Sequence, residues 1–386
     1  MKAPAQAGPT TSMRDRNIGT LSRKFRAGIL GATGMVGQRL MTLLDSHPWF
    51  EVAALAASPR SAGMRYDEAV SGRWHMGAPL PEALAGMRVY DAQQVMAIAD
   101  QVDLVFSAIA LDKRATVTLE EAYARAELPV ISNNSALRMF PDVPMLIPEI
   151  NAHHSAVIPA QRKRLGTQRG FIAVKSNCSI QSYVPALTPL MLYEPLEVMA
   201  CTYQAVSGAG RRLSDWPEMS GNIIPYIGGE EEKSEQEPMK IWGQLNADMS
   251  AIELTQRPRI STQCLRVPIE DGHLAAVSVK FSKKPDREAI LDHWAQFNPL
   301  AGYDLPSAPP QFLVYHEQPD RPQPTLDAKA GHGMAISLGR LREDPVFDWR
   351  FVCLSHNTLR GAAGGSVLSA ELLLRQGYLT QQETLT

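Results

Sequence analysis

The segment Gly31-Ala-Thr-Gly34-Met-Val-Gly37 constrains the fold of this chain more than any other. It follows an apolar run, "RAGIL", and opens a stretch from Met35 to Leu44 whose apolar residues recur at helical spacing. A strand that hands over to a helix through a glycine-rich turn is where a dinucleotide's pyrophosphate meets a helix N-terminus. Glycine also serves tight turns for steric reasons alone, so the neighbouring segments decide the matter. "FEVAALAAS", "RVYDA", "ADQVDLVFSAIA" and "LPVISNN" read as further strands, with a helix at "KRATVTLEEAYARAE". Strands alternating with helices predict a parallel sheet wound on both faces, an α/β, Rossmann-like domain.

The texture changes after Asn151. "VMACTYQAVSG", "RVPIEDGHLAAVSVKF" and "GMAISLGRL" are longer amphipathic or β-branched stretches that suit a mostly antiparallel sheet. With helical segments such as "DREAILDHWAQF" they predict a second, α+β domain. The C-terminal "NTLRGAAGGSVLSAELLLRQGY" reads as glycines followed by a helix that returns to the first domain. The expected division is 25–155 with 356–386 for the dinucleotide-binding domain and 156–355 for the second. Residues 1–24 read as a disordered tail, with a start at Met13 or organelle targeting as alternatives. A chain of 386 residues is too long for one ordinary core, which agrees with two domains.

A formal charge of −2 gives no electrostatic case for nucleic acid or an anionic membrane. No apolar run approaches the ~20 residues of a membrane span. Four scattered cysteines, Cys178, Cys201, Cys264 and Cys353, show neither a disulfide framework nor a zinc spacing. They favour a reducing, cytoplasmic compartment and no metal.

Cofactor choice turns on the end of the second strand. A carboxylate there would bind the ribose 2′-hydroxyl of NAD. The residues are Ser58-Pro-Arg60-Ser61-Ala-Gly63, with no acid and one guanidinium, which suits the 2′-phosphate of NADP. An ordinary polar loop with one solvated arginine is the alternative.

In "VKSNCSIQSY", Cys178 stands where a strand passes to a helix. A reactive thiolate needs a lowered pKa, supplied by a helix N-terminus or an imidazole. Pro185 and Pro189 make the following helix irregular and weaken the first source. A lone cysteine is more often structural, so its company matters. His273 begins a strand after Asp-Gly in "RVPIEDGHLAAVSV", and Arg266 just before it can hold a carboxylate by a fork of hydrogen bonds. The acids of "GGEEEKSEQEPMKIWG" read mostly as a solvated helix face.

Taken together, "GATGMVGQ", "ASPRSAG", "SNNSALRMFPDVPMLIPEIN", "SNCS", "TYQAVSGAG", "NIIPYIGGEEEK", "RVPIEDGH" and "NTLRGAAGG", in this order, resemble the aspartate-β-semialdehyde dehydrogenase family, in the branch shared by archaea and fungi. The resemblance runs from about Phe25 to the end of the chain. It implies that Cys178 is the acylated nucleophile, His273 the general acid/base, and Gln204 a residue orienting substrate beside the sulfur. Arg266 would grip a substrate α-carboxylate and Glu237 its α-ammonium, while Lys240 and Arg138 would receive phosphate. Asn177 joins the substrate set through a backbone N–H beside that of Cys178. Gly31, Thr33, Gly34, Met35, Val36, Gly37, Ser58, Arg60, Ser61, Ser107, Ser207, Gly208 and Asn357 form the implied cofactor set.

The implied reaction is NADPH-dependent reduction of L-aspartyl 4-phosphate to the 4-semialdehyde and phosphate through a cysteine thioester. The implied assembly is a homodimer or homotetramer built through the second domain. Other functions compete with this one. A malonyl-CoA reductase shares the fold and a similar cysteine, an N-acetylglutamyl-phosphate reductase shares the fold but its pattern is not that of the stretch around Cys178, and a non-catalytic NADP-binding protein would keep the fold alone.

Overall fold

The computed structural model describes residues 23–381, so the N-terminal segment 1–22 lies outside the described residues. Arg23 and Lys24, counted above with the tail, are described, and Arg23 Nη2 donates to Asp103 Oδ1 at 2.9 Å.

A seven-stranded parallel sheet has the order β3-β2-β1-β4-β5-β7-β6. Its strands are β1 (Phe25–Leu30), β2 (Phe50–Ala57), β3 (Val89–Asp91), β4 (Leu104–Ser107), β5 (Pro129–Ser132), β6 (Met145–Leu146) and β7 (Phe171–Lys175). Leu104, Val105 and Phe106 of β4 are wholly buried, as a strand covered on both faces must be. The order reverses between β1 and β4, and the glycine turn leaves β1 at that switch point to start α1 (Met35–Leu44). Crevices outside the carboxyl ends of strands at such a reversal are the ligand sites of open α/β sheets. α2 (Lys113–Arg125) begins with Asp112 accepting the Ala115 N–H, and α3 (Ile158–Leu165) packs on β7.

The boundary expected at residue 155 is displaced. β7 lies within 156–355, yet it hydrogen-bonds in parallel to β5 and β6 and belongs to the first sheet. Periodicity does not reveal this, because "FIAVK" is a short apolar run of the kind that fits either sheet. The nucleophile candidate is therefore suspended from the dinucleotide-binding sheet.

After α4 (Ile180–Leu187) the chain builds a six-stranded sheet of order β11-β8-β12-β15-β14-β13. Its strands are β8 (Pro195–Gln204), β11 (Arg259–Arg266), β12 (His273–Phe281), β13 (Leu313–His316), β14 (Ile336–Glu343) and β15 (Trp349–Ser355). A two-stranded ladder, β9 (Gln244–Leu245) with β10 (Ile252–Glu253), stands apart from it. The large sheet is mixed: β8–β12–β15–β14 are antiparallel, while β11 on β8 and β13 on β14 are parallel. The parallel pairing of β8 and β11 follows from the connection, which includes α5 (Glu230–Ile241) and returns the chain to the same end.

Every residue of α4 is buried, and the helix lies on the inner face of this sheet against β12, β14 and β15. α6 (Arg287–Gln296) buries Ile290 and Trp294, whose indole stands edge-on to Phe351. α7 (Gly364–Arg375), introduced by a π-turn at Leu359–Ala363, returns to β5, β7 and α1 of the first domain.

Candidate active site

Three neighbouring strands of the second sheet end at one edge. Gln204 closes β8, Arg266 closes β11 in register with it, and His273 opens the antiparallel β12. Cys178, three residues beyond β7 of the other sheet, meets them there. Its Sγ is 3.5 Å from His273 Nε2.

His273 is wholly buried and its Nδ1 accepts the Ala205 N–H at 3.1 Å. A neutral ring held in this way carries its proton on Nε2, facing the sulfur. Burial, then the charge of Arg266, lowers the imidazole pKa to about 3. Burial, then Glu230, pushes the Cys178 thiol up to about 11, against the opposing pull of Lys175, Arg138 and Arg266. The lowered thiol pKa expected from a helix start or an imidazolium is thus not a property of the resting pair. α4 is short and contains Pro185, and the ring is neutral.

Arg266 Nη1 donates to the Ala205 carbonyl at 2.6 Å, and its other N–H groups have no partner among the described residues, leaving a fork for a carboxylate. A Cβ on Gly208 would fall 2.9 Å from Arg266 Nη1 and 3.0 Å from His273 Nε2, so only glycine keeps that space open. Gln204 does not reach out to the cleft. Its Nε2 donates to Glu230 at 3.2 Å, and its Oε1 accepts from Thr202 at 3.0 Å.

The acidic helix corrects three expectations. Glu230, Ser234, Glu237, Lys240 and Ile241 are buried, so α5 turns a polar face inward instead of a solvated one outward. Glu237 is 2% exposed, pairs with Arg138 Nη1 at 2.8 Å and accepts the Asn177 N–H at 2.6 Å. It is a scaffold acid, not a free anion for an ammonium group. Lys240 is wholly buried, with its ammonium donating to the carbonyls of Arg138 (2.7 Å), Phe140 (2.5 Å) and Val143 (2.8 Å). All three donors are used, so Lys240 has none for phosphate.

Glu230 is the acid that faces the cysteine. It accepts from Asn177 Nδ2 (2.9 Å), Gln204 Nε2 (3.2 Å) and Lys233 Nζ (2.9 Å). Burial raises its pKa, but the charge and hydrogen bond of Lys233, with those of Gln204 and Asn177, outweigh burial and hold it below the usual carboxylate range. Asn177 is consumed in this work: its N–H goes to Glu237 and its amide to Glu230, while its Oδ1 accepts from Ser179 N at 2.7 Å. The Cys178 N–H beside it has no partner among the described residues.

Arg138 Nε donates to the Lys175 carbonyl at 2.9 Å, placing the guanidinium under the cysteine turn. Arg138, Lys113, Ser135, Lys233 and Glu237 line a cavity of about 320 Å³. Lys233, Lys113, Ser135 and Glu230 were missed by motif reading. For Glu230 and Lys233 the one signal was the Glu-x-x-Lys spacing, which occurs there as well as at Glu237–Lys240, while Lys113 and Ser135 stand in no such pattern.

The glycine turn fits a dinucleotide. Gly31 has φ 85°, and a Cβ there would fall 2.3 Å from the Ala108 carbonyl oxygen. Gly37 presses equally closely on the turn, whereas a Cβ on Gly34 would make only an ordinary contact, 3.5 Å from the Gly31 carbonyl oxygen. No side chain caps α1, so the first-turn amides around Met35 and Val36 remain for an anion, with Thr33 partly exposed beside them. Ser58 and Arg60 are exposed at the end of β2 and Ser61 is buried. Ser207 and Asn357 join the two cofactor-side loops: Asn357 Nδ2 donates to Ser207 Oγ and Ser207 Oγ to Asp271, both at 2.8 Å. Ser107 is wholly buried, accepting Asn134 Nδ2 at 3.1 Å, and is not on the cleft surface.

A parallel sheet with a glycine turn at its switch point, joined to a mixed sheet bearing a thiol, an imidazole and a free guanidinium, defines a two-domain dinucleotide-dependent dehydrogenase. Family models agree: residues 26–158 match the "Semialdehyde dehydrogenase, NAD binding domain" and residues 187–360 the "Semialdehyde dehydrogenase, dimerisation domain". Aspartate-semialdehyde dehydrogenase of Archaeoglobus fulgidus is 41% identical over 356 residues, covering 92% of this chain and 99% of that one. The enzyme of Aspergillus fumigatus is 40% identical over 370 residues with the same coverage. The crystal structure of the Candida albicans enzyme with NADP superposes with a TM-score of 0.82 at 37% identity, over 92% of this chain and 99% of that one. The chain belongs to the aspartate-semialdehyde dehydrogenase family.

Proposed function

We propose that this protein reduces L-aspartyl 4-phosphate to L-aspartate 4-semialdehyde and inorganic phosphate, with NADPH, through an acyl-enzyme on Cys178. One observation carries the assignment: the Cys178–His273 contact of 3.5 Å is flanked by a free guanidinium, a buried carboxylate and a cavity where Lys113, Arg138 and Lys233 stand with Glu232 and Glu237. These match the substrate's α-carboxylate, α-ammonium and phosphate in turn, with Arg266, Glu230 and the Lys113–Arg138–Lys233 cavity as partners. The semialdehyde made in this way serves the biosynthesis of lysine, threonine, methionine and isoleucine.

Arg266 and Glu230 hold the amino-acid head so that the acyl carbon faces the sulfur. Cys178 gives up its thiol proton to the phosphate as it attacks: the S–C bond forms, the bond from carbon to the phosphate oxygen breaks, and the protonated phosphate departs toward Arg138 and Lys233. The unpartnered Cys178 N–H stands where an oxyanion develops. The thioester accepts hydride far better than a carboxylate. The glycine turn and Arg60 would hold NADPH, which when bound would supply that hydride. The C–S bond then breaks as the aldehyde forms, and His273 hydrogen-bonds through Nε2–H to the group that carries the negative charge. With Nδ1 committed to Ala205, the ring acts foremost as a donor.

A malonyl-CoA substrate has no ammonium for Glu230 to receive, which favours the aspartyl substrate. The outer face of the second sheet, where Met199 is 50% exposed on β8, suits a homodimer, with a tetramer as a further pairing of dimers. Among the described residues no helix is long and apolar enough to cross a membrane, and we place the enzyme in the cytoplasm.

Phosphate-dependent reduction of NADP by L-aspartate semialdehyde is the direct assay. Cys178→Ser is expected to lower kcat by about 10³-fold or more. Semialdehyde oxidation surviving in Cys178→Ala would overturn the covalent mechanism.

A further inference from the structure

Lys175 closes β7 three residues before Cys178 and is 2% exposed. Its Nζ makes one hydrogen bond, to the Ser176 carbonyl at 2.9 Å, and among the described residues no carboxylate lies within ion-pair distance. The two neighbouring guanidinium groups differ in this respect. Arg138 is paired with Glu237, and Arg360 with both oxygens of Glu149. A buried amine without a counter-ion is costly, and such groups persist where a partner charge forms.

The C-terminal segment packs against both side chains. A Cβ on Gly361 would fall 2.8 Å from Cys178 Cβ, and one on Gly365 would fall 2.9 Å from Lys175 Cε. These glycines stand four residues apart, about one turn or ~6 Å along the axis. Cys178 and Lys175 therefore press side by side on one face of the same segment, and the glycines admit them both.

We propose that Lys175 is a positioning residue for the nucleophile, its ammonium supplying the counter-charge of the Cys178 thiolate from the interior of the fold. This rests on Cys178 being the nucleophile. Burial draws the Lys175 amine down to about 7, and the Cys178 sulfur is the foremost charge opposing that shift. Lys175 is likewise the foremost cation drawing down the raised thiol. The other charged or titratable groups facing the pair are Arg138, Glu230, Glu237, Arg360 with its Glu149 and, from the second sheet, Arg266 and the neutral His273. Of the cations, Arg266 is directed to substrate, and Arg138 and Arg360 are paired, which leaves Lys175 to answer the sulfur.

The test is the rate of Cys178 alkylation by iodoacetamide across pH 6 to 10, read at the peptide by mass spectrometry. NADP binding and the urea midpoint serve as fold controls. Lys175→Met removes charge and hydrogen bond, whereas Lys175→Gln keeps a donor for Ser176 without the charge. Both are expected to slow alkylation about tenfold at pH 6.5, where the Lys175 amine is charged, equal to one unit in the thiol's apparent pKa, with the difference shrinking as pH rises above about 7. A Gln variant that alkylates at the rate of the unaltered protein would overturn the proposal, since the hydrogen bond alone would then suffice. If neither variant folds, the unaltered protein decides: the pair should titrate in two steps, and a single step would overturn the proposal. Semialdehyde turnover by the unaltered protein, and its loss in Cys178→Ala, tests the nucleophile itself separately.

Discussion

α5 carries the same four-residue pattern twice, Glu230–Lys233 and Glu237–Lys240. Seven residues bring a helix back to nearly the same face, so the two pairs share letters, spacing and direction. Their fates differ because the second lies about 10 Å further along the axis, beneath the loop of Arg138 and Val143. The outer pair binds itself and the cleft, with Lys233 Nζ at 2.9 Å from Glu230. The inner pair is divided: Glu237 goes to Arg138, and Lys240 to three carbonyls. Depth along one helix, rather than residue type, separates a binding group from a structural one.

The sharpest way to break this comparison is to remove the inner ammonium. Lys240→Met leaves three carbonyls without their donor and is expected to cost about 3–5 kcal/mol of stability, read as a lowered urea midpoint. A stable protein with a weakened phosphate KM would reverse the two roles.

Glu230→Gln is expected to lower kcat/KM for the semialdehyde about 10²-fold, close to 2.7 kcal/mol at the transition state, with a lowered urea midpoint at neutral pH that converges on that of the unaltered protein in acid. Its acid side adds a second test. Because the folded pKa is lowered, the contribution of Glu230 to stability is complete above the ordinary 4.5 and is lost as pH falls through the folded value. The Gln variant should lose that part of the acid slope of stability.

Lys233→Ala is the mildest change, since its amine is partly exposed. The phosphate KM in the oxidative direction is expected to rise about tenfold, or 1.4 kcal/mol, with little change in stability. Equal effects on NADP and phosphate would move Lys233 away from the phosphate cavity.

Much of this architecture was legible in the letters. The alternation of strands and helices before Asn151 gave the parallel sheet, and the glycine turn gave its switch point, because both are local patterns with a steric cause. Cys178, His273, Gln204 and Arg266 were legible as a set through their motifs, and they converge at one sheet edge. The strand β7 was not legible as part of the first sheet, since partner choice is a long-range property of a short apolar run. Glu230 was hidden by its neighbours: a run of acids looks solvated until tertiary packing buries one face of it. The raised thiol pKa was hidden for a similar reason, as desolvation depends on what surrounds a group and not on its sequence position.

Cys178 hangs from one sheet and His273 from the other. The 3.5 Å between Cys178 and His273 is therefore a gauge of the angle between two bodies, not a property of either. A hinge motion too small to disturb any core would open that gap and silence the chemistry while leaving both binding surfaces whole. Whatever stiffens the seam, a ligand spanning it included, tunes turnover without touching a reacting atom.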